Sequence, residues 1–263
     1  MPSLIWGRDA QEAFEQPYEY QAQEQFVREA KSLLTKLYKL INSEEQKHTR
    51  EEKSVEKAIW LLVNDALDSL RDCLEALIHK DHRITGKQFR DIVESMDLAA
   101  FFNSNTDESN LCLNKWYNNE IVPHSKYRDY VRKTNGDKAA KQSANYYRNL
   151  SRFTHRSYHA ILDGYVLGRD GKIVHDGITE IYTGNKESKR FLVLPQTISS
   201  YYAVLASLIE TYANQLPDLK LVDQNHIQEA FKTSLETETI PRQFAILRTT
   251  TEIRLHSKNN DSF

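Results

Sequence analysis

Apolar residues recur at spacings of three and four over several long tracts of this chain, and short polar stretches separate the tracts. From about Tyr18 to Asn42 the set Phe26, Ala30, Leu33, Leu34, Leu37, Leu40 and Ile41 predicts an amphipathic helix. The charged run 43–53 has no apolar residue and reads as a connector or a solvated helix end. Ser54 is a good N-cap for a second helix to about His79, whose dense apolar set (Ile59, Leu62, Val63, Ala66, Leu70, Cys73, Leu74, Leu77, Ile78) predicts a central position. A third helix is expected after residues 84–86 and as far as Phe102, with the polar stretch 103–110 breaking the pattern. Short helical pieces fill 111–135, interrupted at Pro123 and at Asn135-Gly136.

A long helix is then expected from about Asp137 to Leu162. After Asp163-Gly164 the period changes. Alternating apolar residues on either side of Arg169-Asp170-Gly171 predict a β-hairpin over 165–175, extended by EIYTG and RFLVL. Pro195 leads into a helix carrying Ile198, Tyr202, Leu205, Ile209 and Tyr212, and 219–234 predicts one more. The last residues read as a strand or loop fading into a tail. With only 8 Gly and 6 Pro in 263 residues, the chain favours long helices over a many-turned sandwich or barrel. Short connections between helices imply antiparallel neighbours.

Composition narrows the chemistry. The net charge of −2 gives no global basic field, so any contact with nucleic acid must be local. Two cysteines make no disulfide framework and no CxxC metal spacing, and Cys73 reads as a small core residue. No GxxxxGK[ST], HExxH or internal repeat occurs. The first residues, MPSLIWGRDAQEAFEQ, lack a signal-peptide apolar core, and the apolar runs are far short of a bilayer span. A cytoplasmic, bacterial-type protein without cofactor or metal is the expectation.

The stretch YYRNLSRFTHRSYH, residues 146–159, concentrates three arginines, two histidines and three tyrosines. On a helix, Arg148 and His155 stand seven residues apart, an offset of only about 20°. Arg152 and His159 continue the stripe, and Ser151 lies beside it. Arginine offers a planar donor fork to phosphate, and histidine moves a proton near neutral pH. A solvated helix face also looks basic, but such a face usually mixes in acids. From Ser143 to Leu162 there is no Asp or Glu. Carboxylates from another helix are one way to balance the charge, and the third helix has Arg90 and Glu94 at i,i+4 with Asp97 continuing the row. That pair is either an ordinary intrahelical ion pair or a device that orients His155 or Arg148.

Taken together, GKQFRDIVESMDLAAFF and YRNLSRFTHRSYHAIL resemble an uncharacterised bacterial branch of the HEPN-like superfamily. The matching positions are Arg90 and Glu94, then Tyr147, Leu150, Ser151, His155 and Ser157, over roughly residues 55–215. The resemblance implies one antiparallel helical domain over 1–263, with its core at about 55–215. Residues 1–53 would be an N-terminal helix and connector, and 235–263 a C-terminal extension. It also implies a metal-independent endoribonuclease of the toxin–antitoxin or phage-defence kind, acting as a homodimer with a composite site. His155 would be the general acid or base, and Arg148, helped by Arg152, would stabilise phosphate charge. Arg90, Glu94 and Ser151 would support them, and Tyr147, Tyr158 and His159 would contact RNA, the tyrosines by stacking on unpaired bases. Partners would be RNA and an antitoxin or defence-system protein, with no membrane. The same residues also fit a non-catalytic RNA- or nucleotide-binding module, or an interaction subunit that uses the 165–175 hairpin.

Overall fold

The computed structural model describes residues 18–43, 47–79, 81–154, 158, 161, 165–167, 173–175 and 194–233. Among them the protein is mainly helical. The helices are α1 (Tyr18–Ile41), α2 (Val55–Ile78), α3 (His82–Asn103), α4 (Asp107–Tyr117), α5 (His124–Thr154), α6 (Leu194–Gln215) and α7 (Gln224–Thr233). Two three-residue strands, β1 (Tyr165–Leu167) and β2 (Ile173–His175), pair antiparallel with Val166 opposite Val174. The residues between these strands, the EIYTG and RFLVL segments, and 235–263 lie outside the described residues.

The apolar stripes do the packing that their spacing predicts. On α1, Phe26, Ala30, Leu33, Leu34, Leu37 and Ile41 are buried, and Leu40 packs against them half-exposed. On α2, every expected core residue from Ile59 to Leu77 is buried, including Cys73, and Ile78 is half-buried. Each fully buried side chain of this size contributes about 1.5–3 kcal/mol relative to exposure. Helices α2 and α3 pack most extensively, and α6 closes the same core. The Tyr212 hydroxyl on α6 donates to the Val63 carbonyl on α2 at 3.1 Å, and Tyr201 lies 5.8 Å from Phe89 of α3.

Four local outcomes differ from the expected boundaries. First, α3 begins at His82 rather than after 86, and passes through Gly86. Buried Thr85 explains the early start, because it docks on α2: its hydroxyl donates to the Cys73 carbonyl at 3.4 Å. Tertiary contact outweighs the roughly 1 kcal/mol helix cost of a glycine. Second, the expected break at Asn135-Gly136 is a kink rather than an end. α5 continues from His124 to Thr154 across Gly136, whose φ of 81° and ψ of 173° are non-helical. A glycine tolerates this positive φ without Cβ strain. Beyond Thr154, Tyr158 and Ile161 are also helical.

Third, residues 49–52 of the apolar-free connector are anchored rather than merely solvated. Lys57, on the first turn of α2, is buried. Its ammonium donates to the carbonyls of Thr49, Arg50 and Glu52 at 2.6, 2.7 and 2.8 Å. All three ammonium protons are thereby satisfied. Ser54 caps the helix as expected, accepting from the Lys57 amide at 3.2 Å. Tyr117 of α4 donates its hydroxyl to the Ser54 carbonyl at 2.7 Å. Fourth, α4 starts at Asp107, inside the polar stretch expected to be irregular, because Thr106 caps it and Asp107 and Glu108 favour the positive end of the helix dipole.

Candidate functional site

Helix α3 carries its polar row, Arg90, Glu94 and Asp97, on the side that meets α5. Arg90 Nε donates to Glu94 Oε1 along the helix, one turn away. Its Nη2 lies 3.3 Å from Nε2 of His124, the first residue of α5. His124 Nδ1 is 3.5 Å from Glu94 Oε1 and in hydrogen-bond contact with the Tyr127 hydroxyl. An arginine nitrogen can only donate, so Nε2 must be the bare nitrogen and Nδ1 carries the proton. The Tyr127 hydroxyl then accepts from Nδ1–H, with the Glu94 carboxylate 3.5 Å from the same nitrogen. The four side chains form a closed circuit joining two helices.

Burial lowers the pKa of His124, with Arg90 and Arg128 pushing the same way and Glu94 opposing. The imidazole is therefore neutral at physiological pH, in agreement with the tautomer its partners require. The hydrogen bond to Glu94 raises the Arg90 pKa. Further along, burial pushes the Asp97 carboxyl up to about 6, against the pull of the Tyr147 hydroxyl and the Arg128 guanidinium. Burial also raises the Tyr127 and Tyr147 phenols, so both are protonated hydroxyls. The two arms of α5 meet at this point. Arg128, from the first arm, covers the Tyr147 ring of the second at 4.9 Å, and His124 approaches the same ring edge-on at 6.4 Å.

Of the residues read from the sequence, the structure brings Arg90 and Glu94 together and sets them against α5. Arg148 is exposed on α5, Ser151 is half-buried and Tyr158 is 71% exposed. Tyr147 corrects one expectation. At 2% exposure its ring is packed into the seam between α3 and α5, where no base can stack on it. His155, His159 and the side chain of Arg152 lie outside the described residues. Sequence reasoning missed His124, Tyr127 and Arg128. A signal for them exists in PHSKYR: a histidine directly after Pro123, at a helix start, with tyrosine one turn on.

Beside this circuit runs a cleft of about 680 Å³ bounded by α2, α3, α4, the 119–122 segment and the start of α5. Glu94, Ser95, His124 and Tyr127 form its polar end. Leu61, Leu62, Leu98, Trp116 and Tyr117 form its walls, and Asn119, Glu120 and Ile121 its rim. Among the described residues no group of three or more His, Cys, Asp or Glu is placed to hold a metal ion, and no helix is long and apolar enough to cross a membrane. Comparison with protein-family models, with curated proteins and with solved structures returned no match.

Proposed function

We propose that this chain is a HEPN-like, metal-independent endoribonuclease serving as a toxin or phage-defence effector. The observation that carries the proposal is the packing of the Arg90–Glu94 pair against the helix that bears the motif. That packing sets an arginine and two carboxylates next to Tyr147, the immediate neighbour of Arg148. Arg148 itself is exposed, where a phosphate can reach it. In this reading the antiparallel bundle spans the chain, the 165–175 hairpin is an insertion, and two motif helices meet across a twofold axis.

The chemistry proceeds on a single strand of RNA. His155 takes the proton of a ribose 2′-hydroxyl, and the 2′-oxygen attacks the adjacent phosphorus. Arg148 balances the added negative charge, with Arg152 steering the strand. The proton that His155 has taken passes to the 5′-oxygen as it leaves, so the products are a 2′,3′-cyclic phosphate and a 5′-hydroxyl. Arg90 and Glu94 fix the seam on which the motif helix rests. Tyr158, exposed, takes the stacking role that buried Tyr147 cannot.

Incubation of the purified protein with total RNA in excess EDTA, followed by mapping of the ends, tests this. Cleavage persists in EDTA, DNA resists, and His155→Ala lowers the rate by about two to four orders of magnitude. Arg148→Ala loses a comparable amount, on the order of 3 kcal/mol. Full activity in His155→Ala, or a requirement for Mg²⁺, overturns the mechanism. One observation favours a second reading, the non-catalytic RNA-binding module. Arg90 and His124 satisfy each other and Glu94 within the fold, as expected of groups that hold a structure. Under that reading the protein retains RNA on a filter and yields no shortened products.

A further inference from the structure

We propose that the second arm of α5 is a track for an RNA strand, on which Lys138, Lys141 and Asn145 hold the backbone on its approach to Arg148. The inference rests on the endoribonuclease reading and adds to it a stretch of helix outside the motif. Helix α5 carries eight Lys and Arg against two Asp, a charge of +6, in a chain whose net charge is −2. The kink at Gly136 divides these cations into two sets. Those before it are answered by the fold's own groups. Lys126 and Lys133 meet Glu108 at 2.7 and 3.4 Å. Arg132 lies 3.5 Å from Asp129 and 3.9 Å from Asp137. Arg128 covers the Tyr147 ring and lowers the Asp97 pKa.

Beyond the kink the cations are in the opposite condition. Lys138, Lys141 and Arg148 are exposed, and none of them has an ion pair among the described residues. The sequence supplies no local acid either, since no Asp or Glu occurs from Lys138 to Leu162. Positions 138, 141, 145 and 148 follow at spacings of three, four and three. On a helix they share an arc of about 80° and a length of about 15 Å. All four side chains are exposed, while Tyr147 and Leu150 are buried on the other side of the helix. A row of uncompensated cations suits the repeating charge of a phosphate backbone, because each neutralised phosphate releases counterions. Asn145, between the cations, offers its amide to a phosphate or sugar oxygen. A membrane surface is the poorer partner. A helix lying in a bilayer interface needs an exposed apolar face beside its cations, and here Tyr147 and Leu150 are spent on the core.

Fluorescence anisotropy on the full chain, with a labelled single-stranded DNA of mixed sequence, tests the track. This probe keeps the phosphates but lacks the 2′-hydroxyl that cleavage needs, so binding is read without turnover. The double variant Lys138→Gln, Lys141→Gln should bind about tenfold more weakly at low salt, the loss of two exposed charge contacts. Its plot of log affinity against log salt should be shallower by about 1.4, two single-strand phosphate contacts. Lys133→Gln removes a charge from the first arm, where Glu108 already answers it, and should change affinity less than about twofold. All three lysines are exposed, so the variants fold, which circular dichroism checks. An unchanged affinity and salt slope in the double variant overturns the proposal. So does an equal loss per charge in Lys133→Gln, the mark of a diffuse field. Binding to phosphatidylserine vesicles without saturable binding of the DNA strand overturns it too. RNA cleavage on the same samples is read separately. Track-dependent binding without cut RNA supports the track and defeats only the ribonuclease, whereas cleavage with an unchanged KM in the double variant defeats only the track.

Discussion

Helix α3 has two faces that meet the burial problem by different means. One face, Phe89, Ile92, Met96 and Ala99, is buried at 0–4% exposure against α2 and α6. The other carries Arg90, Glu94 and Asp97 into the seam with α5. The apolar face gains stability in proportion to the area it removes from water, and needs no particular partner geometry. The polar face must match each donor to an acceptor, and what it gains is position: it fixes where the start of α5 and the Tyr147 turn lie. The apolar face holds the fold together, and the polar face sets the placement of the motif helix.

Changing one side chain on each face tests that division. Phe89→Ala should cost about 3–5 kcal/mol in urea unfolding, the usual range for emptying an aromatic site in a core. A smaller loss there than from Glu94→Gln would break the comparison.

The apolar face was the legible one. Its residues recur at helical spacing, and the same holds for α1 and α2, where a local period is enough to find the core. The polar seam was only half legible. Arg90 and Glu94 are i,i+4 neighbours and show up as a pair, but His124 lies 34 residues from Arg90, and only tertiary packing brings it there. Lys57 shows the same limit. A lysine in a charged tract reads as solvated, and nothing local announces three converging carbonyls. Gly86 misled for the converse reason: its local propensity says break, while the docking of Thr85 on Cys73 says helix. For the motif itself, the pattern put Arg148 and His155 on one stripe, but it could not separate Tyr147, which packs inward, from the exposed Tyr158.

Asp97 sharpens the comparison through pH. Its folded pKa is raised from 3.8 to about 6, mainly by burial. A raised value means the folded state prefers the protonated form. The stabilising preference is complete below the ordinary 3.8 and is lost as pH rises through about 6. At neutral pH the charged carboxylate then costs the fold on the order of 1–3 kcal/mol. Asp97→Asn should therefore be more stable than the parent at neutral pH, and the advantage should shrink to nothing as pH falls toward 4. His124 works in the opposite sense. Its lowered pKa contributes stability that is present above its ordinary 6.5 and lost as pH falls through the folded value. The His124 loss is common to both proteins, so the difference between their denaturant melts isolates Asp97.

Glu94→Gln should cost about 1–2 kcal/mol, within the range for a hydrogen bond to a charged group. Its signature is electrostatic: Glu94 is the group that holds the His124 pKa up, so the imidazole should titrate lower still in the variant, as followed by NMR.

The smallest effect is expected at Tyr147, and its sign is the informative part. The side chain is 2% exposed, yet its hydroxyl has no well-formed hydrogen bond among the described residues. A buried hydroxyl that has given up water without a replacement carries a desolvation cost, and deleting it together with the unmet need is neutral or stabilising. The ring keeps its packing in Tyr147→Phe, including the Arg128 guanidinium 4.9 Å above it. We expect a gain of less than about 1 kcal/mol near pH 4, where Asp97 is protonated, and a smaller one at neutral pH, where the hydroxyl favours the charged carboxylate. A second consequence checks the placement. The Tyr147 hydroxyl lowers the Asp97 pKa, so its removal should move that titration upward. A loss of stability above about 1 kcal/mol would mean that the hydroxyl makes a real bond in the seam, and that the polar face contributes stability as well as position.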